Sequence, residues 1–166
     1  MRKMRLWKRE INDKGEMMSV MEECQVLRIA AQDEEGMFIV PVNYGYECRE
    51  DDGENLSLTF YIHSAKAGRK AEAFDKSPVV ALEMDCGHEI IRGDYTCDYS
   101  FAYRSIMGSG RIRPVTDKAE KMHGLILLMK HVDPKSDLCF RDEMTEAVNV
   151  YRIDVEEFTG KMRQSC

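Results

Sequence analysis

Residues 56–63 alternate without a break: Leu56, Leu58, Phe60 and Ile62 fall on one side, Ser57, Thr59, Tyr61 and His63 on the other. Successive side chains of a strand point to opposite faces, so this segment predicts a β-strand with one apolar and one polar face. Similar short runs recur along the chain with turn residues between them. Residues 26–31 read as a β-type run, Glu34-Glu35-Gly36 as a turn, and residues 37–46 as a strand with Val40, Val42, Tyr44 and Tyr46 on one face. The Asp- and Gly-rich stretch 50–55 reads as a hairpin loop. Pro78 punctuates the start of a strand over 79–84, residues 85–98 read as polar and irregular, and strands follow over about 100–113 and 148–155.

The helical signals are fewer. In residues 14–24, Met17, Val20, Met21 and Cys24 share a face. A helix covers about 66–75. Asp117 and Glu120 form a capping box that opens a helix to about residue 130, with Met122, Leu125, Ile126 and Met129 on its core face. A loop with Asp133 and Pro134 leads to a short helix near 141–147. Short antiparallel strands with few crossover helices favour a closed or nearly closed barrel over a doubly wound parallel sheet. At 166 residues, with no repeat or linker, residues 1–166 read as a single domain or one subunit of a small oligomer.

Charge and cysteine usage narrow the partners. A net charge of −6 argues against a nucleic-acid partner, and the basic cluster Arg2, Lys3, Arg5, Lys8 and Arg9 reads as a solvated arm. No apolar run approaches the ~20 residues of a membrane span, so no membrane partner is expected. No apolar segment follows the first basic residues, so no secretory signal is expected and the location is read as cytoplasmic. The six cysteines, at 24, 48, 86, 97, 139 and 166, then read as reduced thiols, with Cys24 and Cys139 as core filler. Cys86, His88 and Cys97 match no familiar zinc spacing, and no metal is expected.

Three segments carry candidate chemistry. Residues 61–70, Tyr-Ile-His-Ser-Ala-Lys-Ala-Gly-Arg-Lys, read as a strand ending in imidazole and hydroxyl groups, a small-residue turn, and an Arg-Lys pair at a helix start. A phosphate needs such a place: short polar side chains, a Gly where backbone approaches, free helix N–H groups and fixed positive charge. His63 lies on the polar face beside Tyr61, directly before that turn. Pro41 stands inside a strand and has no N–H, which makes the strand an edge or a bulge and frees the backbone of Val42, Asn43 and Tyr44. In residues 103–110, Gly108 and Gly110 interrupt a strand, marking close approach of a flat ligand or another backbone, or a barrel corner. No G-x-S-x-G, Walker, H-E-x-x-H or paired-carboxylate motif is present, and no Rossmann glycine fingerprint.

The order of Val-Pro-Val-Asn-Tyr (40–44), Tyr-Ile-His-Ser-Ala with Gly-Arg-Lys (61–70), Tyr-Arg-Ser-Ile-Met-Gly-Ser-Gly (103–110) and Thr-Asp-Lys-Ala-Glu-Lys (116–121) resembles the FMN-binding split-barrel superfamily of the pyridoxamine 5′-phosphate oxidases. Within it the chain is most similar to the 5-nitroimidazole-resistance (Nim) branch, over nearly its whole length. The resemblance implies a mainly β fold, a six-stranded antiparallel split β-barrel, as a homodimer with FMN at the subunit interface. It implies that Pro41, Val42, Asn43 and Tyr44 line the flavin ring, and that His63 and Ser64 reach the ring edge and the ribityl–phosphate arm. Gly68 lies in the phosphate turn, Arg69 and Lys70 match the phosphate-binding pair, and Arg104 and Ser105 approach from the second subunit. The oxidases' Trp- and Arg-containing C-terminal segment has no match in residues 157–166, and the one Trp is Trp7, which counts against vitamin B6 chemistry. The expected activity is reduction of a small electron-poor acceptor, a nitroimidazole, other nitroaromatic or quinone, with His63 donating a proton. The alternatives are a non-catalytic flavin carrier or redox sensor, a pyridoxamine 5′-phosphate oxidase-like activity, and a relative holding a deazaflavin or haem.

Overall fold

The computed structural model describes residues 4–50 and 56–164. Arg2, Lys3, Cys166 and residues 51–55 of the predicted hairpin loop lie outside the described residues. After a 3-10 turn at Trp7–Arg9, the elements run β1 (Glu10–Ile11), α1 (Lys14–Glu23), β2 (Leu27–Asp33), β3 (Gly36–Val42), β4 (Gly45–Glu50), β5 (Leu56–Ala65) and α2 (Arg69–Lys76). They continue as β6 (Val79–Ile91), β7 (Ser100–Pro114), α3 (Lys118–Val132), α4 (Asp142–Ala147) and β8 (Val148–Arg163). All strand pairs are antiparallel, in the order β3-β2-β6-β7-β8-β5-β4, with β1 pairing β8 as well. Among the described residues no helix is long and apolar enough to cross a membrane.

The six strands read from the sequence are all present, and eight appear because of two details. The two-residue β1 adds one. The other arises because the predicted strand 37–46 divides. Up to Val42 it pairs with β2, and from Gly45 it pairs with β5, at the opposite edge of the sheet. One stretch of chain therefore supplies both edges, and the sheet curls into a barrel that is not closed by hydrogen bonds. Pro41 sits on the edge strand β3, where its missing N–H costs no ladder bond.

A single main cluster fills the inside. Leu58, Phe60 and Ile62 of β5 meet Leu27 and Ile29 of β2, Leu82 and Met84 of β6, and Ile112 and Ile153 of β7 and β8. Helix α1, capped where Asp13 accepts from the Glu16 N–H at 2.8 Å, adds Met17, Val20 and Met21. The other face of β5 is covered as well. Tyr61 packs with Val115, Leu125 and Val150 beneath α3.

Three boundaries differ from the sequence pattern. Helix α2 begins at Arg69, because Gly68 at φ +116° holds the turn out of helical conformation. Strand β6 continues to Ile91 through a bulge between Cys86 and Glu89, where Gly87 takes φ +65°. Strand β8 continues to Arg163 by pairing with β7. Both extensions flank β7, one on each side, and the backbone ladder carries them past the end of the apolar pattern, with Cys86, Phe158 and Met162 still reaching the core. The buried face of α3 is Gly124, Leu125 and Leu128, rotated from the predicted Met122, Leu125, Ile126 and Met129. Cys139, predicted as core, is exposed.

The rotation of α3 has a steric cause. Its backbone at Leu127 and Leu128 lies directly on Gly45, and Gly124 lies against the Tyr61 ring, so only residues without a Cβ fit at both positions. We predict that Gly45→Ala lifts α3 from β4 and destabilises the protein by about 1–3 kcal/mol, the usual cost of overpacking. A urea midpoint unchanged from wild type would contradict this seating.

Candidate functional site

The end of β5, the turn after it and the start of α2 form one basic corner. Ser64 is buried and its hydroxyl donates to the Ala65 carbonyl at 3.0 Å. Gly68 precedes the helix and has no side chain to cap it, so the first N–H groups of α2 face outward. Lys70 is half-buried in this first turn and has no ion-pair partner among the described residues. Burial holds its ammonium below the ordinary lysine range.

His63 stands beside this corner. It is exposed on one side and otherwise lines an apolar hollow of about 190 Å³ with Leu125, Phe140, Arg141 and Met144. Burial lowers its pKa from 6.5, and the Lys70 charge lowers it further. Both act by disfavouring the imidazolium. The sequence marked His63 but not Phe140, Arg141 or Met144. They arrive from the loop and α4, some 80 residues along, and no local pattern links them.

The remaining predicted residues are placed differently. Arg69, next to Lys70, points away and binds Asp33 with two of its nitrogens, at 2.6 and 2.9 Å. Pro41 and Asn43 are exposed and Val42 is half-buried, with Asn43 Nδ2 donating to the Gln25 carbonyl at 2.9 Å. Tyr44, predicted to line a flavin ring, is instead fully buried. Its hydroxyl donates toward the Met21 and Cys24 carbonyls at 2.7 and 2.8 Å, and its ring packs on Phe60 and His131. Tyr44 is thus a core residue whose polar tip is satisfied by the end of α1.

Arg104 and Ser105 are half-buried and far from His63. Arg104 pairs with Glu16 at 3.0 Å and with Glu23, and meets the Ser19 hydroxyl at 3.2 Å, which ties β7 to α1. The Ser105 hydroxyl faces the Lys161 carbonyl. On β8, Val150 lies opposite His63 and Met162 lies opposite Arg104. That is about 40 Å of strand at ~3.3 Å per residue, so one chain does not bring the two sets together. Gly108 and Gly110 serve the strand itself. A Cβ on Gly108 would stand 2.7 Å from the Glu157 carbonyl, and one on Gly110 3.0 Å from the Val155 Cα. The close approach read from the sequence is that of β8.

Donors, charge and space at the corner fit a phosphate: an unpaired Lys70, open helix N–H groups, and a glycine that leaves room for an oxygen. The hollow beside it is smaller than the ~300–1,000 Å³ of ordinary ligand pockets. A larger ligand would therefore need a further wall.

Because the imidazolium is disfavoured in the fold, His63 binds its proton less readily folded than unfolded. Its contribution to stability is present above pH 6.5 and is lost as pH falls through the window below that value. In an NMR titration the His63 ring should have a midpoint below 6.5. Lys70→Ala should move it up part of the way only, since burial, the larger cause, remains. A midpoint that does not move on Lys70→Ala would mean that the two groups are not neighbours.

The sequence matches the family model for pyridoxamine 5′-phosphate oxidase over residues 13–162. No curated protein matches it. Among solved structures, it is similar to a provisional 5-nitroimidazole antibiotic resistance protein from Bacteroides thetaiotaomicron VPI-5482, with 28% identity and a TM-score of 0.75, over 92% of this chain and 86% of that one. A flavocytochrome from Azotobacter vinelandii shares the fold at 18% identity and a TM-score of 0.78, over 98% of this chain and 73% of that one. An FAD-binding protein from Mesorhizobium loti does so at 21% identity and a TM-score of 0.60, over 94% and 98%.

Proposed function

The chain belongs to the pyridoxamine 5′-phosphate oxidase family, and from that premise we propose that it is an FMN-binding reductase of small electron-poor acceptors, nitroimidazoles, other nitroaromatics or quinones. The observation that carries the reading is Lys70, an unpaired cation beside His63 at the uncapped start of α2. Lys70 and the first N–H groups of α2 hold the phosphate, and Gly68 lets the backbone come close to it. A bound flavin supplies the capacity to take electrons from a reduced carrier and pass them on.

The chain's own part is to place and protonate. His63 presents a ring nitrogen to the open side of the corner, where a reduced acceptor needs a proton. Phosphate beside Lys70 offsets the charge that repels the imidazolium, so binding the anion raises the basicity of His63. Leu125, Phe140 and Met144 keep water from one side of the ring. The acceptor is a flat, apolar molecule matched to that wall.

The further wall comes from a second copy of the chain. Across the outside of four strands, Ile39 lies opposite Ala30, Ala30 opposite Ala81, and Ala81 opposite Ser109. Met37, Ile39, Val79 and Met107 are 56–77% exposed around this row. A flat apolar face of this kind marks an interaction surface. In a homodimer built on it, Arg104 and Ser105 of one copy approach the corner of the other.

A visible spectrum of the purified protein tests the cofactor, separating FMN or FAD from haem and from an empty chain. His63→Ala should retain its flavin and melting temperature, while steady-state turnover of a nitroimidazole with NAD(P)H falls by roughly ten- to a thousandfold. Wild type with flavin but no turnover would make the protein a flavin carrier. A destabilised His63→Ala with unchanged turnover per folded molecule would remove His63 from the chemistry.

Sedimentation tests the assembly. Wild type should run as a dimer, and Ile39→Asp as a monomer with reduced flavin content. A wild-type monomer that is fully loaded with flavin at micromolar concentration would refute the shared site.

A further inference from the structure

The start of α2 carries two consecutive cations in different surroundings. Arg69 reaches back over the β2–β3 turn. Its Nε stands 2.6 Å from Asp33 Oδ2 and an Nη 2.9 Å from Oδ1, a fork-to-fork contact. The second Nη is 3.8 Å from Glu35, and the guanidinium lies 4.6 Å above the Phe38 ring. Asp33 is held in turn by the Glu35 N–H at 2.9 Å. Arg69 and these hydrogen bonds keep the Asp33 carboxyl below its ordinary range, so the pair persists into mildly acidic solution.

The space beside Arg69 is also hostile to an anion. A cleft of about 630 Å³ there is lined by Asp33, Glu34, Glu35 and Glu72 against Arg69 and Lys76. Lys70, one residue further along the helix, is rotated by about 100°. It has no ion-pair partner among the described residues, is half-buried, and does not line this acidic cleft.

We propose that Asp33 withdraws Arg69 from the anion site, making it a strut between α2 and the β2–β3 hairpin, so that Lys70 alone of the pair meets a phosphate. The phosphate's identity rests on the flavin reading above; the strut does not. Asp33 then sets the affinity of the site. It keeps one cation where two are encoded, and neutralising it would return the second.

The test compares wild type, Arg69→Ala, Lys70→Ala and Asp33→Asn, titrated with FMN and with riboflavin by fluorescence quenching. Lys70→Ala should weaken FMN by about ten- to a hundredfold, the loss of a charge-assisted hydrogen bond, with riboflavin unaffected. Arg69→Ala should bind FMN near the wild-type value but melt a few degrees lower. Asp33→Asn should bind FMN more tightly than wild type and riboflavin equally. Equal losses of FMN affinity in Arg69→Ala and Lys70→Ala, with riboflavin unchanged, would overturn the proposal. A melting-temperature cycle of Arg69→Ala with Asp33→Asn decides the strut without any ligand. Strong coupling supports it and additivity refutes it. Wild type that binds neither flavin would sink the flavin reading and leave the cycle as the deciding measurement.

Discussion

Between Val42 and Gly45 the chain leaves the edge that it forms with β2 and joins β5 at the opposite edge of the same sheet. Two residues span that change, Asn43 and Tyr44. A flat sheet of seven strands in sequence would hold those edges far apart, so the sheet must curl, and the inside of the curl must be filled. Tyr44 is placed at the crossing with no exposure at all, its ring against Phe60 and His131 and its hydroxyl on the last carbonyls of α1. It joins the seam, the core and the helix that plugs one end. Leaving that buried hydroxyl without those carbonyls would cost about 1–3 kcal/mol, so the position of α1 and the crossing of the chain are set together.

The curl then decides what is left outside. With β5 buried on its inner face by the main cluster and on its outer face by α3, its last residues are the first to escape cover. His63 is there, and the turn to α2 follows at once. On the other side, β3, β6 and β7 expose Met37, Ile39, Val79 and Met107. The exposed corner and the exposed face are two results of one geometry. A protein that uses the first in company with a second copy has the surface with which to do so.

Charge is distributed by the same logic. Arg104 is held by Glu16 and Glu23, Arg152 by Asp154 and Glu120, Arg113 by Glu120, and Arg69 by Asp33. These guanidinium groups serve as struts between elements, and their charge is spent inside the chain. Lys70 is not held in this way: it is half-buried in the first turn of α2, and its charge adds to the burial that lowers the His63 pKa.

The family and the corner were legible in the sequence because their signals are local. The alternation of 56–63 marked β5, the Asp117–Glu120 box marked the start of α3, and His63, Gly68 and Lys70 fall within eight consecutive positions whose strand–turn–helix order a reader can assign. Pairing between distant residues was not legible. Tyr44 read as sharing one strand face with Val40, Val42 and Tyr46, because nothing near it shows that the strand changes partners after Val42. Arg69 and Lys70 read as equals, because Asp33 lies 36 positions away. Gly108 and Gly110 read as close approach of a ligand or of another backbone, and only the fold shows that the backbone is that of β8. Side-chain period and caps act over a few residues and are therefore written in the local sequence. Which edge a strand joins, which carboxylate claims an arginine and which backbone fills a gap depend on the closure of the whole sheet, and only the tertiary structure decides them.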